Sequence, residues 1–222
     1  MKRNIFLLLS CCIALFTTAQ TASSSRQKYN FNNNWKVFVG DDSLASTLNY
    51  NDTKWKTVTV PYAWNEDAAF KVSIEDLPTG IAWYRKHFSL PKEQKGKKVF
   101  IEFEGIRQAG EFYLNGKFIG LHENGITGFG FDITHEILFG EDNVIAVRID
   151  NSWNYHEKAT KSGFQWNDKN FNANYGGITK NVFLHVTNPL YQTLPLYTNL
   201  QTTGVYVYAK EINVAKQSAF IT

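Results

Sequence analysis

Short runs of alternating apolar and polar residues constrain the fold of this chain more than any other feature. In the run KVFIEFEGI, Val99, Ile101 and Phe103 fall on one face of an extended segment, because successive side chains of a strand point to opposite sides. Runs of the same period occur near residues 57–60, 82–90, 111–120, 129–134, 143–150 and 182–187. No window contains a convincing ten-residue apolar stripe of helical period. Many short strands separated by turn residues predict an all-β protein that forms a β-sandwich.

The clearest turn lies at Asn115-Gly116, between the strand-like runs EFYL and KFIG. The preferred two-residue hairpin loop needs positive φ at both central residues, and asparagine followed by glycine adopts that conformation readily. The pair therefore predicts a β-hairpin and its register, and it indicates no chemistry. A further segment, DSLASTLNY, is predicted to hold one or two turns of helix at most.

The first residues have the organisation of a secretory signal peptide. Lys2 and Arg3 precede the apolar run IFLLLSCCIALF, and the small-residue pattern TTAQ follows. We expect residues 1–19 to be removed by cleavage after Ala19, because the apolar run is too short for a stable membrane anchor. Residues 20–30 are then a polar linker, and the mature protein is predicted to be periplasmic or secreted.

Both cysteines, Cys11 and Cys12, lie within that apolar run. A lipoprotein would need one of them as its first mature residue, and this alternative is disfavoured because the apolar run continues past them. The mature chain then contains no cysteine, which excludes disulfides and thiolate metal sites. Removal of Lys2 and Arg3 lowers the formal charge from +3 to +1, so there is no electrostatic reason to expect nucleic acid as a partner.

No catalytic or metal-binding constellation is recognisable from residue types and spacing. None of the five histidines stands three or four residues from another, so no helical pair of metal ligands is present. A glycosidase needs two neighbouring carboxylates, and the candidates by type are Glu104, Asp150, Glu157 and Asp168. No spacing pairs any two of them, and we interpret them as polar faces of strands and caps of loops. We therefore predict no catalytic residue, metal ion or cofactor in this chain.

A long predicted loop over residues 151–178 is the segment best suited to bind a ligand. Its aromatic residues alternate with asparagines and include Trp153, Tyr155, Phe164, Trp166, Phe171 and Tyr175. An aromatic face can pack on the C–H side of a sugar ring while amide groups bond to its hydroxyls. The alternative is a loop that folds over its own aromatic residues and caps the core, and the sequence favours neither interpretation.

The strand pattern is interrupted near residues 189–204, where two prolines and several polar residues occur. We place a boundary here and predict one domain over residues 31–190. Residues 191–222 then form a linker and the start of a second domain, since GVYVYAKEI and SAFIT have the pattern of two more strands. Two strands do not make a stable sheet alone, so we expect the front part of a longer protein. Pairing of these strands with the first domain is the alternative.

Five separated blocks resemble one known family in sequence and in order. They are VPYAW (60–64), GIAWYRKHFSLP (80–91), VFIEFEGIRQAGEFYLNGKFIGLHENGITGFGFDIT (99–134), NVIAVRIDN (143–151) and NYGGITKNVFLHV (174–186). These blocks are similar to the N-terminal sugar-binding domain of glycoside hydrolase family 2, the family of β-galactosidases and β-glucuronidases. The resemblance covers about residues 30–190.

The resemblance implies a jelly-roll β-sandwich of the galactose-binding type, followed by the first strands of an immunoglobulin-like sandwich. In this family the two catalytic glutamates lie further downstream on a TIM barrel, and the mechanism retains anomeric configuration. The implied protein is a secreted enzyme, most like a β-galactosidase, that hydrolyses terminal β-glycosidic bonds. The chain alone is then expected to be inactive, with a carbohydrate ligand and the downstream domains as its partners. The alternatives are a stand-alone carbohydrate-binding module and an inactive structural fragment.

The resemblance also bears on the sugar site. Family members contribute an aspartate shortly before the segment that corresponds to Gly177-Ile178, where this chain has Phe171 and Asn172 and its nearest acid is Asp168. This departure weakens the case for a galactose-specific site. We predict the following substrate-binding residues: Trp166, Asp168, Asn172, Asn174 and Tyr175.

Overall fold

The computed structural model describes residues 26–163, 173–194, 200 and 207–221, and within them the protein is all-β, as predicted. The strands in these residues are β1 Arg26–Asn30, β2 Trp35–Val39, β3 Lys56–Val58, β4 Tyr62–Ala63, β5 Ile81–Ser89, β6 Lys98–Phe103, β7 Ala109–Leu114, β8 Lys117–His122, β9 Phe129–Asp132, β10 Asp142–Asp150, β11 Gly177–Ile178, β12 Val182–Thr187, β13 Ala209–Asn213 and β14 Ser218–Ile221. Short 3₁₀ turns lie at Ser43–Ser46, Glu66–Ala68, Ile74–Asp76 and Lys92–Gln94. The described part of the chain contains no helix of the length and apolarity that a membrane crossing requires.

Two antiparallel sheets form a β-sandwich. The first has the strand order β1-β12-β6-β9, and the second has the order β3-β2-β5-β10-β7-β8. The longest strand pairing lies in the second sheet and joins β5 to β10, from Ile81 opposite Asp150 to Ser89 opposite Asp142. Most neighbours in these sheets are distant in sequence, as in jelly rolls and other double-sheet folds whose strands cross from one sheet to the other.

The core lies between the two sheets and follows the alternation seen in the sequence. Val99, Ile101 and Phe103 of β6 are fully buried, as are Ile145 and Val147 of β10. Each side chain of this size contributes roughly 1.5–3 kcal/mol when it is removed from water. The period-2 pattern therefore identified strands such as β6 and β10 and the faces that they bury, whereas the predicted runs did not include β1, β2, β4 or β11.

An aromatic cluster fills the middle of this core. The ring centroids of Phe103, Phe112 and Phe129 lie 5.0–5.3 Å from one another. Because the three rings come from β6, β7 and β9, the cluster joins the two sheets. His122 stacks on the ring of Phe129 with centroids 3.7 Å apart, and burial lowers the pKa of its imidazole to about 4.

The turn between β7 and β8 has the predicted geometry. Asn115 has φ of 52° and Gly116 has φ of 84°, so both central residues are left-handed. The side chain of Asn115 also ties the hairpin to the sandwich, because its Oδ1 accepts from the amide of Val144 at 2.8 Å and its Nδ2 donates to Asn143 Oδ1 at 2.9 Å. The Asn115-Gly116 turn therefore has a structural role.

Residues 26–30, predicted to end a polar linker, instead form the edge strand β1. This strand pairs with β12, from Arg26 opposite Thr187 to Asn30 opposite Phe183. It is mostly exposed and carries the polar sequence RQKYN, so it has no apolar alternation. An edge strand held by backbone hydrogen bonds needs no such pattern, and the predicted linker boundary is corrected accordingly.

A buried ion pair holds the segment 43–52 against the outer face of the second sheet. Arg85 of β5 is fully buried, and its Nε donates to Asp52 Oδ2 at 2.8 Å. Its Nη1 donates to the carbonyl groups of Ala45 and Thr47. One guanidinium therefore anchors the 3₁₀ turn Ser43–Ser46, in the segment for which the sequence predicted one or two turns of helix at most.

Among the described residues, the strands β13 and β14 pair only with each other and form a two-stranded sheet. Every residue of both strands is exposed. The described residues therefore do not adopt the alternative in which these strands pair with the sandwich. The start of the predicted strand, residues 204–206, lies outside the described residues.

Candidate functional site

Three asparagines join three loops at one end of the sandwich. Asn65 follows β4, Asn151 follows β10, and Asn174 precedes β11. Each is at most 2% exposed, so their amide groups need partners inside the protein. They find those partners mainly in one another and in the backbone of the 173–177 segment.

The backbone carbonyl of Asn174 is the centre of this network. It accepts from the Nδ2 groups of both Asn65 and Asn151, each at 2.9 Å. Asn65 also accepts from the amide of Gly176 at 3.0 Å, and Asn151 accepts from the amide of Gly80 at 3.1 Å. The network therefore fixes the path of the chain through residues 174–176.

The side chain of Asn174 is also used within the protein. Its Oδ1 accepts from Arg107 Nε at 3.1 Å, and its Nδ2 donates to the carbonyl of Asn151 at 2.6 Å. Arg107 exchanges two backbone hydrogen bonds with Gly177, at 2.8 and 2.7 Å. Partial burial lowers the pKa of the Arg107 guanidinium from its ordinary value. Asn174 thus links the segment before β7 to the segment before β11.

The two glycines after Tyr175 permit a close approach that other residues could not make. A Cβ on Gly176 would lie 2.4 Å from Cγ of Asn151, and one on Gly177 would lie 2.1 Å from the hydroxyl of Tyr84. Gly177 also has φ of 135°, which an L side chain rarely adopts. The local sequence NYGG is therefore required by packing on both sides of Tyr175.

The rigid segment presents Tyr175 to a surface pocket of about 350 Å³. The pocket is lined by Pro61, Tyr62, Ala63, Glu66, Tyr175 and Thr179. Its two walls come together because β4 pairs with β11, with Tyr62 opposite Ile178 and Ala63 opposite Gly177. The volume lies at the lower end of the range for small-molecule sites, roughly 300–1,000 Å³.

Polar groups of the pocket are held by hydrogen bonds to their neighbours. Glu66 Oε2 accepts from the amide of Ala63 at 3.1 Å. Lys56 Nζ lies 2.6 Å from the Tyr62 hydroxyl and 3.2 Å from Asp67 Oδ2. The bond to Tyr62 first, and then the bond to Asp67, raises the pKa of the Lys56 ammonium.

The lining chemistry suits a sugar ring better than it suits catalysis. Two tyrosine rings offer apolar faces, and a carboxylate with two hydroxyl-bearing residue types offers hydrogen-bond partners for sugar hydroxyls. Glu66 is the single carboxylate among the described lining residues, whereas hydrolysis by the retaining route needs two about 5 Å apart. The pocket can therefore hold a ligand, but the described part of its lining does not supply both catalytic groups.

Only part of the predicted site lies within the described residues. Tyr175 lines the pocket, and Asn174 is buried beneath it as a positioning residue. A direct contact between Asn174 and a sugar stays a prediction. Trp166, Asp168 and Asn172 lie outside the described residues.

The first part of the 151–178 loop is tied to the sandwich. Tyr155 donates its hydroxyl proton to Glu123 Oε1 at 2.6 Å, and the amide of Lys158 donates to the same oxygen at 2.7 Å. Burial first, and then the bond to Glu123, raises the pKa of the Tyr155 phenol. The first part of the loop is therefore held against the segment after β8 through Glu123.

Three of the carboxylates weighed as catalytic candidates make local contacts. Glu104 accepts from Asn181 Nδ2, Asp150 accepts from the amide of Ser152, and Glu157 accepts from the hydroxyl of Thr160. These are the strand and loop contacts that the sequence analysis preferred for them. The fourth, Asp168, lies outside the described residues.

Sequence reasoning missed Tyr62, Glu66 and Thr179. Tyr62 stands in the block VPYAW, which was recognised only as a family resemblance. The pocket residues 61–66 and 175–179 are more than 100 positions apart, and the β4–β11 bridge that joins them has only two residues in each strand. A strand of that length leaves almost no periodic signal.

Comparison with known proteins agrees with the fold and identifies the family. The chain is 43% identical over 216 residues to a β-glucuronidase of Formosa agariphila, an alignment that covers 92% of this chain and 21% of that protein. It is 35% identical over 164 residues to a β-galactosidase of Thermoanaerobacter pseudethanolicus, covering 73% of this chain and 21% of that protein. The chain thus spans about a fifth of the length of these relatives.

Solved structures give the same result. A β-glucuronidase from glycoside hydrolase family 2 superposes with a TM-score of 0.77 at 43% identity, covering 86% of this chain and 20% of that one. A Bacteroides uniformis β-glucuronidase superposes with a TM-score of 0.67 at 28% identity, covering 84% and 20%. The sequence profile of the glycosyl hydrolases family 2 sugar binding domain matches residues 28–189. The chain therefore belongs to glycoside hydrolase family 2 and contains its sugar-binding domain.

Proposed function

We propose that this chain is the sugar-binding front portion of a glycosidase that hydrolyses terminal β-glycosidic bonds, and that its pocket holds part of the carbohydrate. The observation that carries the proposal is the fixed position of Tyr175, which the asparagine network and Gly176-Gly177 present opposite Tyr62 and Glu66. A rigid aromatic wall reduces the entropy lost when a sugar binds.

The catalytic carboxylates are proposed to lie on a barrel outside this chain. The described pocket lining holds one carboxylate, and the aligned part of this chain covers only 21% of each of the two relatives. In a full-length protein one glutamate would attack the anomeric carbon, while the other protonates the leaving oxygen and then activates water. The 222-residue chain alone is expected to show no turnover of nitrophenyl β-glycosides.

Two terminal sugars are candidates for the whole enzyme. The 43% identity to a protein named β-glucuronidase supports a glucuronide, and the 35% identity to one named β-galactosidase supports the galactoside favoured in the sequence analysis. We also propose export, supported by the signal-peptide pattern that precedes Gln20.

Binding of a panel of methyl β-glycosides to the whole chain, measured by ligand-observed NMR, tests the proposal. We expect millimolar affinity, and we expect Tyr175→Ala to weaken it about tenfold because one stacking face is lost. The control is Tyr208→Ala, which removes an exposed tyrosine from the β13–β14 region. Equal binding by both variants, or no binding by the parent, would reject the pocket as a sugar site.

A second candidate is a carbohydrate-binding module that never joins a catalytic domain. It is favoured by the pocket, which needs no other domain to form. The coding DNA beyond codon 222 discriminates the two. A continuous frame encoding a barrel supports the glycosidase, and a stop followed by unrelated sequence supports the module.

A further inference from the structure

The charges around the pocket point to the kind of sugar that it accepts, an inference that rests on the proposed function. Glu66 lines the pocket, and the one hydrogen bond of its side chain in the described part of the chain is the bond from the Ala63 amide to Oε2. No lysine, arginine or histidine of the described residues forms an ion pair with it. Its Oε1 is therefore available to accept from a ligand.

Two lysines lie near the lining residues, and both are engaged elsewhere. Lys56 forms an ion pair with Asp67 at 3.2 Å, so its positive charge is already matched by a carboxylate. Lys180, next to Thr179 in the chain, donates to the carbonyl of Ile126 at 3.2 Å. Among the described residues, no cation therefore forms an ion pair with Glu66, whose carboxylate lines the pocket.

We propose that the pocket takes an uncharged sugar ring, with a hydroxyl donating to Glu66 and a ring face against Tyr175, and that it discriminates against uronic acids. A sugar carboxylate in the same place would find no cation among the described lining residues and would be repelled by Glu66. A neutral sugar has a hydroxymethyl group in place of that carboxylate. Its hydroxyl can donate a hydrogen bond to Glu66, which as a carboxylate can only accept one. If the whole enzyme removes a terminal glucuronic acid, the pocket holds a neighbouring neutral sugar.

The test uses two ligands that differ only at C6: methyl β-D-glucopyranoside and methyl β-D-glucopyranosiduronate. Dissociation constants are measured with the whole chain by NMR titration at low and at high salt. We expect the neutral glycoside to bind about tenfold more tightly at low salt, and the difference to shrink at high salt because repulsion between charges is screened.

The decisive variant is Glu66→Gln, which keeps an oxygen for the Ala63 amide and removes the charge. We expect the preference for the neutral ligand to fall to about twofold, mainly through tighter binding of the uronate. Glu93→Gln is the matched control, because it removes the same charge from another exposed 3₁₀ turn. The control should keep the full preference.

The outcomes separate this inference from the proposed function. If the uronate binds the parent chain as tightly as the glucoside, or if Glu66→Gln leaves the preference unchanged, the charge-based selectivity is refuted while the sugar pocket stands. If neither ligand binds at millimolar concentration, the sugar pocket itself is refuted, and the selectivity with it.

Discussion

Replacement of Asn174 by alanine should destabilise the protein strongly. The substitution removes a part-buried hydrogen bond from Arg107 Nε at 3.1 Å and a buried one to the carbonyl of Asn151 at 2.6 Å. Loss of a partner in a buried site costs roughly 1–3 kcal/mol for each group affected, so the free energy of unfolding should fall by about 2–5 kcal/mol. At 2–4 °C for each kcal/mol, the midpoint of thermal unfolding should fall by about 10 °C.

Urea unfolding followed by tryptophan fluorescence measures this change, and hydrogen exchange of peptides covering residues 173–179 locates it. Exchange there should increase more than in the β7–β8 hairpin. The control is Asn154→Ala in the same loop, whose exposed side chain should contribute less than about 0.5 kcal/mol. If Asn174→Ala costs no more than the control, the asparagine network does not hold Tyr175 in place.

Three further perturbations have clear expected outcomes. Gly177→Ala should cost more than about 2 kcal/mol, because its Cβ would meet the Tyr84 hydroxyl at 2.1 Å and its φ is 135°. Asp52→Ala should cost about 3–5 kcal/mol, because it leaves the Arg85 guanidinium buried without its counterion. His122 has a folded-state pKa of about 4, below the unfolded value of 6.5, so its contribution is complete above pH 6.5 and should be lost by up to about 3 kcal/mol as pH falls towards 4.

Matched controls accompany these experiments, which use urea or thermal unfolding. Gly163→Ala should be nearly neutral, since, apart from its chain neighbours, no atom of the described residues lies within 4 Å of the added Cβ. Asp142→Ala removes an exposed partner of His87 and should cost less than about 1 kcal/mol. His122→Gln should flatten the pH dependence, and His135→Gln should not. If Gly177→Ala or Asp52→Ala lowers the free energy of unfolding no more than its control does, the packing or ion-pair argument is contradicted. If His122→Gln leaves the pH dependence of stability unchanged, the argument from the His122 pKa is contradicted.

The sandwich was predictable where one strand face is buried. Val99, Ile101 and Phe103 alternate in the sequence because every second side chain of β6 enters the core, and the Asn115-Gly116 turn requires the positive φ that these residues tolerate. The edge strand β1 was missed because its polar residues bury no apolar face and it is held by backbone pairing.

The candidate site was only partly predictable. Tyr175 was identified because aromatic residues near asparagines suit sugars, but the sequence could not distinguish an exposed amide from the buried amide of Asn174. That distinction depends on Asn65 and Asn151, which bond to the backbone of Asn174. They lie 109 and 23 positions from Asn174 in the sequence, and the fold brings them together. Tyr62 and Glu66 join Tyr175 only through the two-residue pairing of β4 with β11, a long-range contact without a local pattern.

Amide chemical-shift mapping of the whole chain during titration with methyl β-D-glucopyranoside tests the sugar pocket most directly. The largest shifts should fall on Tyr62, Ala63, Glu66, Tyr175 and Thr179, and they should be lost in Tyr175→Ala while the β7–β8 hairpin signals stay unchanged. Shifts concentrated on any other surface, or their absence at millimolar sugar, would contradict a carbohydrate-binding role for this pocket.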